Sequence, residues 1–462
     1  MSLLRQGHNC WKTGRPHHAG LLLDGEEYFA NLYDNMGKAE YSICILGWDI
    51  HSQIALLRGG EQKGDRPVRL LPYLTYLAER NKDLNIYILC WDYSSLFVLS
   101  REAFQRIKLS WLSHERIHFV FDGQHPIGAC HHQKIVVIDD SIAYCGGIDL
   151  TAHRWDTHTH DPAHPLRRDP SGKTYPPFHD IQAAVDGEPA RRLGHYFRKR
   201  WKRVTGNVIE PVHSSASNRK GFDCGPHPLG GCMAGISRTE PFYKKYREVR
   251  EVENLYLDLI QQAEQYIYME NQYLTSDSIA GALRERLQDS SSPEIVIIIP
   301  KEYDGWIENH SLKINRQKIL RELEQSDRYG KMSIYYPENR QLSGCITVHS
   351  KLTVADDVYV RIGSSNLSNR SMGFDTECDL VFEREEDTGF SSSVRSSIYC
   401  LLEGYTGTPV SEIRDVFSEK PLWRDCIDKI NRKDRFLKKI EPEGDPSLAE
   451  RLVPSVEVAD PA

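Results

Sequence analysis

The sequence repeats one order of elements, and this internal repeat limits the possible folds more than any other feature. The segment AEYSICILGW, from residue 39, has a counterpart in AEQYIYMENQ, from residue 263. LNIYILCWDY, from residue 84, likewise corresponds to EIVIIIPKEY, from residue 294. Apolar runs of this kind predict buried strands, and a helical pattern lies between the two strands of each copy. The alternation predicts an α/β fold of two similar domains, each with a helix-covered, mostly parallel sheet.

The two copies divide the chain into parts. We expect a first domain, a linker, a second domain and a C-terminal helix with a polar tail, over residues 1–210, 211–240, 241–420 and 421–462. Gly, Ser, Pro and Asn are frequent between residues 206 and 241, which is typical of an irregular loop. Cys224, His227 and Cys232 lie there, but their spacing matches none of the usual zinc templates. No metal and no cofactor is therefore expected.

The composition is that of a globular protein that works in a reducing compartment. The chain is 40% hydrophobic, and no run approaches the roughly 18 apolar residues of a membrane span. The first 25 residues hold no apolar core of a secretory signal. Cysteines such as Cys44 and Cys90 lie inside apolar runs, which favours buried free thiols. We therefore expect a cytoplasmic location with peripheral contact to the membrane. A net charge of −7 argues against broad capture of nucleic acid.

A histidine and a lysine stand at the start of a strand in each copy. His132 and Lys134, in HHQKIVVID, are two residues apart, so on a strand their side chains point to the same face. His349 and Lys351, in VHSKLTVAD, repeat the arrangement. A pseudo-two-fold between the domains would bring these four side chains together at the interface. Such a gathering of positive groups is costly unless an anion lies between them, and a phosphate meets that need.

A carboxylate and a turn of small residues follow each pair. Asp139 and Asp356 lie an odd number of positions from their histidines, so on a straight strand they face away from them. We expect both to be structural and to bond backbone near the strand ends. His131, next to the first motif, is interpreted as incidental.

The pattern H-x-K-x4-D, present twice, resembles the phospholipase D superfamily. The match covers about residues 20 to 420, and the GSSN turn fits the family through Gly363, Ser364 and Asn366. The first turn, GGID, departs from the family pattern, since Gly147 replaces serine and Asp149 replaces asparagine. With RWD from Arg154 and ENQY from Glu270, this variant is most similar to the true phospholipases D.

The resemblance implies a catalytic set that consists of His132, Lys134, Asp139, His349, Lys351 and Asp356. One histidine would attack phosphorus to give a phosphohistidine, while the other protonates the leaving alcohol and then activates water or another alcohol. By analogy His132 is the nucleophile and His349 the acid, although the symmetry of the repeat leaves this assignment open. The lysines and the turn residues Gly147, Ser364 and Asn366 would stabilise the charged oxygens. Glu377 is the expected acidic partner of His349, and Asp156 that of His132.

The implied function is removal of the headgroup from glycerophospholipids at a membrane surface, giving phosphatidic acid or a transphosphatidylation product. Both motifs lie in one chain, so a monomer suffices for the site. Two alternatives stay open: a cardiolipin synthase-like phosphatidyltransferase, and a nuclease-like phosphodiesterase, for which a basic groove would be expected. A non-catalytic lipid-binding role is disfavoured, because both motifs keep every residue that the chemistry needs.

Overall fold

A computed structural model describes residues 2–60, 65–92, 113–212, 222–302, 306–341, 345–386 and 389–442, without the side chains of 306–311. The predicted polar tail from residue 443 onward lies outside the described residues. Among the described residues, no helix has both the length and the apolar character that crossing a bilayer demands.

Strands and helices alternate along the chain. The first half contains β1 (Lys12–Gly14), β2 (Ala19–Leu23), α1 (Asp24–Met36), β3 (Ser42–Gly47), α2 (Leu70–Arg80), β4 (Asn85–Trp91), β5 (Ile117–Asp122), β6 (Lys134–Ile138), β7 (Ile142–Gly146), β8 (Phe178–His179), β9 (Ile181–Asp186) and α3 (Gly187–Thr205). The second half contains β10 (His227–Pro228), β11 (Cys232–Glu240), β12 (Val249–Arg250), α4 (Glu251–Gln262), β13 (Tyr266–Glu270), α5 (Asp277–Leu287), β14 (Glu294–Ile298), α6 (Trp306–Ser326), β15 (Met332–Asn339), β16 (Thr347–Val348), β17 (Leu352–Ala355), β18 (Tyr359–Gly363), α7 (Asn369–Gly373), β19 (Glu377–Arg384), α8 (Phe390–Thr406), α9 (Val410–Glu419), α10 (Trp423–Ile430) and β20 (Arg435–Lys439).

The two large sheets share one strand order. It runs β2-β9-β7-β6-β3-β4-β5 in the first sheet and β11-β19-β18-β17-β13-β14-β15 in the second. The predicted α/β fold is confirmed, and the matching orders are consistent with the predicted pseudo-two-fold.

The sheets are mixed, however, and the expectation of mostly parallel sheets is corrected. In each shared order only the last two pairs, β3–β4 and β4–β5 or β13–β14 and β14–β15, are parallel. The motif strands β6 and β17 instead enter tight hairpins with β7 and β18. Asp139 and Asp356 begin these turns with positive φ, a conformation that aspartate tolerates better than most residues.

Asp139 and Asp356 bind backbone in equivalent places. The Asp139 carboxylate accepts hydrogen bonds from the backbone N–H groups of residues 40, 41 and 42, at 2.7, 2.8 and 2.7 Å. Asp356 accepts from the N–H groups of residues 264, 265 and 266, at 2.7, 2.8 and 2.9 Å. Each carboxylate thereby ties the hairpin that ends its motif strand to the start of the neighbouring strand, β3 or β13.

A shared hydrophobic core lies between the sheets. On β6, Ile135 and Val137 face this core, whereas Val136 and Ile138 pack toward α1 and α2 on the opposite face. The helices α3 and α8 contribute to the shared layer, while α4, α5 and α6 cover the outer face of the second sheet. The two sheets therefore meet face to face, and the hydrophobic layer that joins them belongs to both halves.

The segment expected to be a linker contains sheet strands. β11 (Cys232–Glu240) pairs with β19 over eight residue pairs in the second sheet, and β10 pairs with β2 in the first. The N-terminal strand β1, although it belongs to the first half of the chain, pairs with β11 in the second sheet. The loop-like composition failed as a guide here, because a strand that pairs on both sides tolerates small residues such as Gly235. The division into domains otherwise stays a prediction.

We expect Asp139→Ala and Asp356→Ala each to lower the free energy of unfolding by about 2–4 kcal/mol, because three backbone donors lose their acceptor. Denaturant titration followed by circular dichroism measures the change. Asp415→Ala, at an exposed position of α9, is the control and should change stability by less than about 0.5 kcal/mol. Equal stability of Asp139→Ala and the control would contradict the structural role.

Candidate active site

Backbone pairing between the halves positions both motif histidines. The N–H of His132 donates to the carbonyl of Thr376 at 2.9 Å, and the N–H of His349 donates to the carbonyl of His179 at 2.8 Å. The short strands β8 and β16 form a parallel pair at the second of these positions. Each histidine is therefore held on a segment of backbone that the opposite half of the chain supplies.

Asp180 orients His349. Its Oδ2 lies 2.6 Å from Nδ1 of the His349 ring, and the carboxylate is fully buried. Asp180 directly precedes β9, so a residue of the first half is the partner of the second motif. Nε2 of His349 has no hydrogen-bond partner among the described residues. This nitrogen is thus available to a bound molecule.

Glu377 orients His132 in the equivalent manner. Its two carboxylate oxygens lie 3.2 and 3.1 Å from Nδ1 of His132, and the Ser364 carbonyl lies 2.9 Å from the same nitrogen. Ser364 Oγ donates to the Glu377 carboxylate, and Ser371 Oγ donates to its other oxygen at 2.7 Å. The two serine hydroxyl groups thereby hold the Glu377 carboxylate in place, and that carboxylate orients the His132 ring.

The partners predicted from the sequence are corrected. Glu377 serves His132 and not His349, while Asp156 accepts from Arg167 at 2.8 Å and from the Phe178 N–H at 3.0 Å. Asp180, at the start of β9, could not serve the motif of its own sheet, because β9 lies two strands from β6, about 10 Å away. The sheet of the opposite half lies closer, so the carboxylates are exchanged between the halves.

Burial and neighbouring cations set the protonation of the His349 pair. Burial raises the pKa of Asp180 to about 7, against the attraction of Lys351. Burial also lowers the pKa of His349 well below its ordinary value, and the charges of Lys351, Arg154 and Lys134 add to the effect. The carboxyl group and the ring therefore share one proton up to about pH 7, and the ring is neutral rather than cationic.

The two lysines lie beside the histidines of their own motifs. Lys134 Nζ donates to the His132 carbonyl at 2.7 Å and lies 3.3 Å from the Asp149 carboxylate. Lys351 Nζ donates to the His349 carbonyl and lies 3.4 Å from Gln272 Oε1. Both ammonium groups are buried. Lys134 and His132 of the first motif act electrostatically on His349 of the second, so the two histidine–lysine pairs lie close together.

The small-residue turns pack directly on the two carboxylates. The N–H of Gly147 donates to the Ile181 carbonyl, and that of Ser364 donates to the Cys378 carbonyl, each at 3.2 Å. A Cβ atom at Gly147 would overlap with the Asp180 carboxylate. This contact accounts for the glycine where the family pattern has serine. Asn366 is fully buried, and its N–H donates to Ser371 Oγ at 3.0 Å.

Sequence reasoning missed Asp180 and the role of His131. His131 Nδ1 lies 3.0 Å from Thr376 Oγ1, and its Nε2 lies 3.2 Å from Asp122. Burial lowers the pKa of His131 to about 3, so the ring is neutral. His131 therefore helps to join the halves beside Thr376. Aligning FHDIQAAVD with DTECDLVFE would have revealed Asp180, because it then falls on Glu377.

A second buried cluster borders the site. His179 Nδ1 lies 2.8 Å from Asp24, and its Nε2 lies 2.9 Å from Glu270, which also accepts from Ser350 Oγ at 2.7 Å. Burial alone would lower the pKa of His179, but Asp24 and Glu270 outweigh it and hold the pKa well above the ordinary value. The ligand atoms of Asp24, His160 and His179 lie within 4.8 Å of one another, a geometry that could hold a metal ion. A metal there would have to displace the proton of His179.

Comparison with known proteins agrees with the geometry. The family model described as "Cardiolipin synthase, PLD-like domain" matches residues 256–393. Phospholipase D A of Dictyostelium discoideum is 25% identical over 426 residues, which cover 78% of this chain and 32% of that protein. Phospholipase D1 of Saccharomyces cerevisiae is 25% identical over 437 residues, or 76% of this chain and 26% of that protein. These matches support membership of the phospholipase D superfamily.

Two further matches are a plant phospholipase D and a solved bacterial structure. The chain spans about a third or less of the length of the Dictyostelium and yeast proteins, but 67% of phospholipase D alpha 1 of Zea mays, to which it is 22% identical. Among solved structures, phosphatidylserine synthase of Haemophilus influenzae has a TM-score of 0.56, with 12% identity over 90% of this chain and 95% of that one. The latter likeness concerns the fold alone.

We expect Gly147→Ala to lower turnover at least about tenfold, because the added methyl group displaces the Asp180 carboxylate and with it the His349 ring. Turnover is measured on dispersed phospholipid. Gly281→Ala, on the open face of α5, is the control and should keep full turnover with equal or slightly higher stability. Full activity of Gly147→Ala would show that the turn does not position the pair.

Proposed function

We propose that the protein is a phospholipase D-type phosphodiesterase that removes the headgroup of glycerophospholipids through a phosphohistidine. The observation that carries the proposal is that two histidine–lysine pairs lie close enough to act on each other electrostatically, with each ring oriented by a carboxylate of the opposite half. Relatives that are named phospholipase D, from an amoeba, a yeast and plants, support it. The proposed products are phosphatidic acid with water as acceptor and a new phosphatidyl ester with an alcohol.

The surroundings of His132 suit a nucleophile. Its Nδ1 lies 2.9 Å from the Ser364 carbonyl, which can only accept, so this nitrogen carries the proton. The proton on Nδ1 leaves Nε2 with its lone pair. Glu377, beside the same nitrogen, favours the positive charge that develops on the ring when Nε2 attacks phosphorus.

The surroundings of His349 suit a general acid. A protonated Asp180 donates to Nδ1 of the neutral ring, so the hydrogen of the ring is on Nε2. As His132 Nε2 forms a bond to phosphorus and the bond from phosphorus to the headgroup oxygen breaks, His349 gives its Nε2 proton to that oxygen. The Asp180 proton then moves to Nδ1. In the second step, water or an alcohol returns a proton to Nε2 and attacks phosphorus, which releases His132.

Charged groups supply the remaining stabilisation. Lys134 and Lys351 lie beside the two rings, where they offset the charge that builds up on the non-bridging oxygens of the phosphate. These steps use only groups of this chain, and one chain contains all of them. The proposed substrate is a phospholipid at a membrane surface, without nucleic acid as partner. Free cysteines, eleven in number, are what a cytoplasmic enzyme would carry.

One observation favours a second candidate, a phosphatidyltransferase that passes the phosphatidyl group to the alcohol of another lipid. The family model that matches the second half carries the name cardiolipin synthase. The same two-step chemistry serves both reactions, and only the acceptor differs. An assay that supplies phosphatidylcholine, phosphatidylglycerol and ethanol together separates them: phosphatidic acid and phosphatidylethanol support the first candidate, and cardiolipin supports the second. Nicked plasmid DNA with untouched lipid would contradict both.

The two histidines should respond differently to the leaving group. His132→Ala should abolish turnover of every substrate, because no phosphohistidine can form. His349→Ala should abolish cleavage of phosphatidylcholine but retain at least about a tenth of the rate with phosphatidyl-p-nitrophenol, since that leaving group needs no proton. His195→Ala, at an exposed position of α3, is the control. The opposite pattern in the two variants would reverse the assignment.

The pH dependence should report the His349 pair. The raised pKa of Asp180, about 7, means that the shared proton is present below pH 7 and is lost as pH rises through that value. We therefore expect kcat/KM for phosphatidylcholine to fall about tenfold per unit above pH 7. In Asp180→Asn this decline near pH 7 should disappear, at a rate lower by about 100-fold or more. An unchanged decline in the variant would assign it to another group.

A further inference from the structure

Two fully or largely exposed apolar side chains lie at the edge of the sheets that carries the active site. Ile127 is 101% exposed, in the loop between β5 and His131. β5 runs parallel to β4 and β3, and the start of β6 lies at the same end of the sheet because β6 is antiparallel to β3. Ile127 therefore protrudes from the edge at which His132 stands.

Phe242 occupies the corresponding edge of the second sheet. It is 67% exposed and lies two residues beyond the end of β11. The chain of antiparallel pairs from β11 through β19, β18 and β17 to β13 makes β11 parallel to β13. The end of β11 is thus at the edge where β17 begins, next to His349.

Hydrogen bonds join the two protruding loops. Lys244 Nζ donates to Gln124 Oε1 at 3.2 Å, and Arg203, near the end of α3, donates to the Gln124 carbonyl at 2.9 Å. Loops of the two halves are therefore in contact, at positions three residues from Ile127 and two residues from Phe242.

A small hairpin presents lysines on this surface. The N–H of Tyr243 donates to the Tyr246 carbonyl at 3.2 Å, and the N–H of Tyr246 donates back at 2.9 Å, with Lys244 and Lys245 at the turn. The Arg203 guanidinium lies 3.8 Å from the centre of the Tyr246 ring and supports the hairpin from behind. Both lysines are exposed.

The helix α3 adds further positive charge beside the hairpin. A groove of about 450 Å³ runs between them, and its lining includes Lys199, Lys202, Arg203 and Lys245 against one acidic side chain, Glu240. The chain as a whole carries a net charge of −7. A local excess of lysine and arginine on an acidic protein favours an approach to an anionic surface with this side facing it.

We propose that Ile127, Phe242, Lys244, Lys245 and the groove lysines Lys199 and Lys202 form a docking surface for a bilayer that contains anionic phospholipid. Apolar tips that enter the interface and a surrounding set of basic side chains are the two elements of such binding. Docking on this surface turns the active-site edge toward the lipid. The inference rests on the proposed function in one respect, namely that the substrate is a phospholipid of the bilayer.

The experiment measures binding and turnover separately. Sedimentation with sucrose-loaded vesicles of phosphatidylcholine and phosphatidylglycerol, and with vesicles of phosphatidylcholine alone, gives binding. Hydrolysis of a short-chain phosphatidylcholine below its micelle concentration gives turnover without a bilayer. The variants are Ile127→Ser/Phe242→Ser and Lys244→Gln/Lys245→Gln. Matched controls at the opposite edge are Tyr41→Ser, whose side chain is 47% exposed just before β3, and Lys38→Gln/Lys82→Gln.

We expect the apolar double variant to bind mixed vesicles at least about tenfold more weakly and the lysine variant about twentyfold more weakly. Both should hydrolyse the dispersed substrate as the unchanged protein does, and both controls should bind normally. Unchanged binding in either variant, equal loss in the controls, or equally tight binding to neutral vesicles would overturn the proposal. All four substitutions are at exposed positions, so the temperature of thermal unfolding should not change. If the apolar double variant nevertheless unfolds, the lysine variant still tests the surface. Vesicle binding without any lipid cleavage would reject the proposed function and leave the docking surface standing.

Discussion

The exchange of carboxylates between the two halves is the interaction on which the site depends. His132 is oriented by Glu377 and His349 by Asp180, and both pairs are buried. Buried ionisable groups are stable only when partners surround them, so each half needs the other to satisfy its own motif. The backbone pairs at Thr376 and His179 fix the same exchange at the level of the main chain. Neither motif can therefore adopt this geometry alone.

The backbone repeats, but the chemistry around it does not. The ring of His132 faces a carbonyl and a carboxylate held by two hydroxyl groups, whereas the ring of His349 faces one carboxyl group whose pKa is raised. The residue between histidine and lysine differs as well: Gln133 contacts Arg200, while Ser350 donates to Glu270. A symmetric framework thus gives the two histidines different electrostatic surroundings, which suits the proposed division between nucleophile and acid.

The sequence predicted the parts of the fold that follow from local pattern. The repeat, the buried strands, both histidine–lysine pairs and the backbone role of Asp139 and Asp356 all come from residues close together in the chain. It did not predict the mixed sheets, because the hairpin after β6 depends on two aspartates with positive φ rather than on hydrophobic periodicity. Asp180 was missed because it lies beyond a long irregular loop, and the choice of Asp156 was wrong because proximity in the chain is no guide to packing between sheets.

The crossing of β1 has a consequence for how the chain can be divided. β1 pairs with β11 in the second sheet, whereas β2, only five residues further on, pairs in the first. β10 and β11 separate in the same way on the far side of the repeat boundary. If the chain were cut between the copies, the fragment with the first sheet would keep β1, which belongs to the second sheet. The duplicated halves are interlaced rather than joined end to end, so no single cut between them yields two self-contained sheets.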